Sequence, residues 1–340
     1  MDRVLEIGGY AAGYCGRLFK ATGAQVLRAD LQLPGAAAWP AWASEAAMDV
    51  YLHAGKQRLV VRDAALLARL AAAADVVVCE APQAALLDDW GFDDWTASVK
   101  VALTPFGRTG PKRNWRATPS VILAMGGYTH LIGDADRAPL NLPGHFVEFQ
   151  TGTLGFAAAN ASGYAARSAA IDISMLETVM SLSQFTTVRW HCAGELRSRH
   201  GSDFWFVVPS DLFACADGFV YLNIVPSFWD ALTVFLQLPE LAIDPRFANN
   251  DARMAHRQIL HDIIAAVVAP LTRAELERRA ESCRVPLGVV QSFDEVLQDR
   301  HLRERGFFQP VTDALGRSWD CPGLPFSYAP NEITEAGSGV

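Results

Sequence analysis

In the run HFVEFQTGTLGF, residues 145–156, a single carboxylate, Glu148, stands among apolar and neutral side chains. A carboxylate so placed has three uses: covalent nucleophile, general base, or anion at a helix start. His145 lies three residues earlier and is a candidate proton-transfer partner, although a His beside a turn more often serves as a satisfied polar group. The turn FGRTGP offers backbone N–H groups around Gly107, and Arg108 and Lys112 add positive charge, a combination suited to phosphate. Arg28 ends the strand-like run QVLRAD, and strand ends at the carboxyl edge of a parallel sheet face ligands. The opening RVLEIGGYAAG has the outline of a dinucleotide or S-adenosylmethionine site, with Asp30 ending the next strand. Its glycines spell GGxxxG, not GxGxxG, which disfavours that chemistry.

The elements that must position these residues alternate. RVLEIGG reads as a buried strand, AGYCGRLFKATGA as a helix closed by Gly23, and QVLRAD as a second strand, together a βαβ unit. QRLVV, DVVVCEA and VKVALTPF continue as strands, with a helix at DAALLARLAAAA and a helix–turn–helix at LLDDWGFDDWTA. Helices are expected at 119–131 and from about 150 to 166, then a strand and helix at AAIDISMLETVMSLS. Alternation of this kind predicts an α/β fold with a Rossmann-like, doubly wound parallel sheet. After about residue 200 the texture turns aromatic and turn-rich. Asp217-Gly218 marks a hairpin, and Thr272/Glu275 and Ser292/Glu295 fit capping boxes. The expected organisation is a large domain over 1–200, regained at 305–340, with a smaller α+β domain inserted at 205–300.

Composition narrows the partners. The 340 residues are 51% hydrophobic and 19% charged, with net charge -8, which argues against nucleic acid and anionic membranes. No membrane span and no secretory leader are expected. The six cysteines form no CxxC pair or zinc-type cluster, so no metal is predicted and buried free thiols in a reducing cytoplasm are expected.

Taken together and in order, several segments resemble the family III CoA-transferases, a group that includes formyl-CoA and carnitine CoA-transferases and the α-methylacyl-CoA racemases. These are the opening βαβ unit, HAGKQRLVVRD, ADVVVCEAPQAALLDDWGF, LTPFGRTGP, AAIDISMLETVMSL and the long run NDARMAHRQILHDIIAAVV through HLRERGFF. The likeness spans roughly residues 3 to 328. It implies an interlocked dimer acting on acyl-CoA and a carboxylic acid, with the coenzyme A thioester as substrate and no separate cofactor. It also implies that CoA passes through a mixed anhydride and an enzyme thioester on an active-site aspartate. By the same resemblance Tyr10, Ala11, Arg28, Lys56, Gln83, Gly107, Arg108 and Lys112 are the candidate CoA contacts.

The sequence departs from that pattern at informative places. Glu148 stands where the family has its aspartate, and one added methylene moves the reacting oxygens by about 1 Å. Gln83 replaces a basic residue that helps hold CoA phosphates, which should lower phosphate affinity. The family's NRGK turn reads HAGK, so Lys56 remains, either as a CoA contact or as a solvated turn lysine. Thr118 falls where the racemases carry their His, and a glycine-rich cover is replaced by HGSDFWFVVPSDL, whose Phe204, Trp205 and Phe206 could line an acyl pocket or belong to a core or interface. Three functions follow. The chain is an active transferase using Glu148, a non-catalytic subunit beside an aspartate-bearing homologue, or an acyl-CoA racemase or isomerase with Glu148 as base.

Overall fold

The computed structural model describes residues 1–36, 46–165, 168–204, 206–313 and 315–326. Two compact units result, one built from 1–129, 141–196 and 300–340, the other from 130–140 and 197–299. In the first, a six-stranded sheet comprises β1 (Arg3–Ile7), β2 (Gln25–Leu31), β3 (Gln57–Val61), β4 (Val76–Glu80), β5 (Val99–Thr104) and β6 (Ala169–Ser174). Their spatial order is β3-β2-β1-β4-β5-β6, and every neighbouring pair is parallel. Parallel neighbours cannot be joined by hairpins, so helices carry the crossovers. These are α1 (Tyr10–Ala21), α2 (Ala46–His53), α3 (Ala64–Ala73), α4 (Ala84–Asp89), α5 (Pro119–Met125), α6 (Tyr128–Leu131) and α7 (Phe146–Tyr164). α8 (Met175–Ser181) and α9 (Gln184–Ala193) follow β6. The strand order reverses between β1 and β4, the place where such sheets open a ligand crevice.

Successive strand residues point to opposite faces, so each buried strand feeds two cores. Val4, Val26, Val76, Val78 and Val101 pack with Cys15 and Phe19 of α1 and Val147 and Ala159 of α7. Leu5, Ile7, Val77, Cys79 and Ala102 pack with Leu67 and Ala71 of α3 and Leu86 and Leu87 of α4. A helix layer on each face is the doubly wound arrangement predicted from the alternation of elements. Two glycines set how closely the layers approach. Gly8 has φ +122°, and a Cβ there would lie 2.6 Å from the Glu80 Cβ, so the β1–α1 turn is pressed against the end of β4. A Cβ on Gly152 would lie 2.5 Å from the Ala11 carbonyl oxygen, which fixes α7 backbone-to-backbone on α1.

Some expectations change. The helix expected over 119–131 is two short helices, because the chain turns at Gly126 and at Gly127, where φ is +84°. After α4 the chain continues through a left-handed Gly91 into a single 3-10 turn, Phe92–Asp94, and not a second α-helix. The helix expected from about 150 begins at Phe146, which places Glu148 inside its first turn. The cysteines are all free, but only Cys15 and Cys79 are buried, and Cys192 is exposed.

The second unit has its own core. β7 (Ser210–Cys215), β8 (Gly218–Asn223) and, later, β9 (Leu287–Val289) form an antiparallel sheet, with the hairpin closing at Cys215 opposite Gly218. α10 (Trp229–Phe235), α11 (Asn250–Ala255), α12 (Arg257–Val268), α13 (Arg273–Cys283) and α14 (Phe293–Gln298) complete it. Phe213, Val220 and Leu222 pack with Leu232, Phe247, Ile264 and Leu276. Thr272 caps α13 by accepting the Glu275 N–H, and Ser292 and Glu295 form a capping box. The last described elements, α15 (Arg300–Glu304) and the antiparallel pair β10 (Phe308–Thr312) and β11 (Ser318–Pro322), belong to the first unit.

Candidate active site

Glu148 is the third residue of α7 and is 2% exposed. Its Oε1 lies 3.3 Å from His145 Nδ1, and its Oε2 has no hydrogen-bond partner among the described residues. A buried carboxylate oxygen without a donor costs free energy in the resting protein and is available to an incoming group. Burial raises the Glu148 pKa, while its own backbone N–H and the neighbouring His145 pull the other way. Placement in the first turn of a 19-residue helix favours the anion. His145 stands edge-on to Tyr10 at 4.6 Å between ring centroids, so the start of α7 meets the start of α1 directly.

Glu80, at the end of β4, is a second buried acid in this region, and sequence reasoning passed over it. Its Oε2 accepts the Ala12 N–H at 2.9 Å. Burial pushes its pKa up to about 8 despite that hydrogen bond, and the charge of Glu148 adds to the rise. With its pKa near 8, Glu80 is held toward its protonated form at neutral pH. The signal was present in DVVVCEA: an acid closing an otherwise apolar strand at the edge where ligands bind.

Tyr10 and Ala11 follow the carboxyl end of β1, Gln83 that of β4, and Gly107, Arg108 and Lys112 that of β5, whereas Arg28 does not end its strand but stands in the middle of β2, and Lys56 precedes the amino end of β3. Tyr10 and Ala11 are buried in the first turn of α1. Arg28 donates to Glu6 Oε1 and Asp30 Oδ1, both at 2.8 Å, and to the Gly8 carbonyl at 3.0 Å. Lys56 is neither a solvated turn lysine nor an open contact. Its side chain is 1% exposed, paired with Glu6 and bonded to the Gly13 carbonyl at 2.8 Å. Glu6 is the hub of this cluster: burial alone would raise its pKa, yet Lys56, His53 and Arg28 hold it down to about 2. Gln83 sits at the cap of α4, and its Oε1 accepts from Arg116 Nε at 3.3 Å. Gly107 takes φ +81° in the turn after β5, and the Arg108 N–H donates to Asp172 at 2.9 Å. The Arg108 guanidinium is held by Asp93 at 2.7 and 2.8 Å, with Asp88 at 3.4 Å. The Lys112 ammonium lies over the Trp115 ring, 3.8 Å from its centroid.

Thr118 caps α5 without a side-chain hydrogen bond. Phe204 and Phe206 belong to the second unit, with centroids 5.5 Å apart, and Trp205 lies outside the described residues. Among the described residues no group of three or more His, Cys, Asp or Glu could hold a metal, and no helix is long and apolar enough to cross a membrane.

Comparison with known proteins bears on this arrangement. The profile of CoA-transferase family III matches residues 2–336. The succinyl-CoA–D-citramalate CoA-transferase of Chloroflexus aurantiacus is 28% identical over 332 residues, covering 89% of this chain and 81% of that protein. The alpha subunit of a succinyl-CoA–L-malate CoA-transferase from the same species is 26% identical, covering 98% of this chain and 84% of its own. Among solved structures, a CaiB/BaiF family protein from Brucella suis superposes with TM-score 0.80 at 22% identity, covering 96% of this chain and 92% of that one.

Proposed function

The chain belongs to CoA-transferase family III, and from that premise we propose that it moves CoA between carboxylic acids with Glu148 as the carboxylate that carries it. The observation that supports this most is the state of Glu148: buried, placed at a helix start, and with one oxygen unpartnered among the described residues. In this reading the Glu148 carboxylate attacks the thioester carbonyl, the C–S bond breaks, and CoA leaves as thiolate from a mixed anhydride. The thiolate then attacks the glutamyl carbonyl and releases the donor acid, leaving CoA on Glu148 as a thioester. The acceptor carboxylate repeats both steps in reverse order, and no net proton is consumed. Protonated Glu80 favours the cycle by placing no second negative charge beside Glu148.

Succinyl-CoA is the donor we propose and a small dicarboxylic acid the acceptor, because the similar proteins carry such substrates in their names. Assembly with a partner chain belongs to the same proposal. Phe185, Val188 and Trp190 leave α9 with a strongly exposed apolar surface, which a second chain would cover. The similarity to the alpha subunit of a two-subunit transferase favours a second reading, in which this chain works beside a homologous subunit. The deciding experiment is to purify the chain alone and follow CoA transfer from succinyl-CoA to a panel of dicarboxylates by chromatography of the acyl-CoAs. Transfer by wild type and none by E148Q supports Glu148 as carrier. Transfer that appears only after a homologous subunit is added, and survives E148Q, supports the second reading.

A further inference from the structure

The chain is acidic overall, with 29 Lys and Arg against 37 Asp and Glu, yet one cavity of the first unit gathers cations. It has a volume of about 750 Å³ and lies between α1, the end of α2 and the returning segment 302–326. Arg17, Lys20, Lys56 and Arg305 line it, and among the described residues no Asp or Glu does. Lys56 is already spent, since Glu6 holds its ammonium and its side chain is 1% exposed. The other three keep their charge. Arg17 donates to the Tyr51 carbonyl at 2.8 Å and to the Pro322 carbonyl at 2.7 Å, which aim the guanidinium without neutralising it. Lys20 and Arg305 are exposed. Like charges held around a concave wall repel one another, and an anion placed among them relieves that repulsion.

The wall is fixed by the fold. Arg17 ties α1 to the end of β11 through the Pro322 carbonyl. The Phe307 N–H donates to the Leu302 carbonyl at 3.0 Å, and the Gly323 N–H to the Phe307 carbonyl at 2.7 Å, which closes the chain before β10 onto the chain after β11. A Cβ on Gly323 would lie 2.6 Å from that carbonyl oxygen, so the approach requires glycine. Phe307 and Phe326 add ring surface to the lining. The volume falls within the range of small-molecule sites, about 300–1,000 Å³. Neither Glu148 nor Glu80 lines this cavity. Tyr10, beside the active site, opens α1 and Lys20 stands near its other end, about 15 Å away along the helix axis.

We propose that this cavity is a second ligand site, for a nucleoside polyphosphate, separate from the site that holds Glu148. The ligand class follows from the lining. Arg17 and Arg305 present planar forks and Lys20 a point charge to phosphate oxygens, and the two phenylalanine rings take a flat base. A small dicarboxylate would leave one cation and both rings unused. The test is calorimetric titration of the full-length protein with ATP in EDTA, for wild type, K20Q/R305Q and the charge-keeping K20R/R305K, with thermal melting to show that all three are folded. Wild type should bind ATP, and equally well when saturated with CoA. K20Q/R305Q should weaken ATP about 100-fold or more, the loss expected for two charge-assisted contacts, and flatten the salt dependence of binding. K20R/R305K should retain most of the affinity, and CoA should bind all three proteins alike. Wild type that does not bind ATP, or K20Q/R305Q that binds it as tightly as wild type, overturns the proposal. Displacement of ATP by CoA, or an equal loss of CoA in K20Q/R305Q, overturns the claim of a separate site.

Discussion

Replacing Glu80 by Gln should stabilise the protein at neutral pH, an unusual sign for a buried polar position. The Glu80 carboxyl is 2% exposed, and its pKa stands near 8 in the folded protein against 4.5 for an ordinary Glu. Between those values the unfolded chain gives up the Glu80 proton and the folded chain keeps it, so the folded state loses stability as pH rises. At about 1.4 kcal/mol per pH unit the loss reaches roughly 3 kcal/mol by pH 7 and roughly 4 by pH 8, and levels off near roughly 5 above that. Gln cannot ionise, and it keeps an acceptor oxygen for the Ala12 N–H. E80Q should therefore match wild type near pH 4 and exceed it by about 5–7 °C in Tm at pH 7, taking roughly 2 °C per kcal/mol for a unit of this size. Differential scanning fluorimetry of both proteins from pH 4 to pH 9 reads this directly. A Tm difference that stays constant with pH, or an E80Q protein less stable than wild type at pH 7, would refute the assignment of a protonated Glu80.

Three further outcomes follow from the same geometry. E148D draws the carboxyl back by about 1 Å and should lower kcat on the order of 100-fold, while E148Q, with no nucleophile, should lower it at least about 1000-fold, both read by acyl-CoA chromatography. The ionised Glu148 is the reactive form and burial raises its pKa, so the rate should climb with pH through an inflection above that of an ordinary glutamate. His145 holds that pKa down, so H145Q should move the inflection to higher pH; an unmoved pH–rate profile would count against the contact. G152A puts a methyl group against the Ala11 carbonyl, which should cost about 2 kcal/mol or more in stability and shift Glu148 enough to reduce kcat, measured by thermal melting and by turnover at a permissive temperature.

The sheet was legible because apolar runs such as VVVCE and VALT bury completely and alternate with helices of clear period, which leaves a parallel, doubly wound arrangement. Glu148 was legible as a lone carboxylate, but its depth was not, because the start of α7 depends on His145 and Phe146 packing against Tyr10 and Tyr128, contacts far apart in sequence. Lys56 misled for the same reason. Gly55 reads as a turn, and nothing local shows that Glu6, fifty residues earlier, has drawn the lysine inside. The pairing of Arg116 with Gln83 joins two loops that follow different strands, and no spacing rule connects them. Gly152 was visible as a glycine, but its purpose appears only where α1 comes within Cβ reach.

The central claim is that CoA passes through a covalent acyl–carboxylate on this chain. Its most direct test is mass spectrometry of the purified protein incubated with succinyl-CoA and hydroxylamine, followed by peptide mapping. A hydroxamate on Glu148, absent without acyl-CoA and absent in E148Q, is the predicted result. A folded protein that binds CoA yet carries no hydroxamate on Glu148 would contradict it.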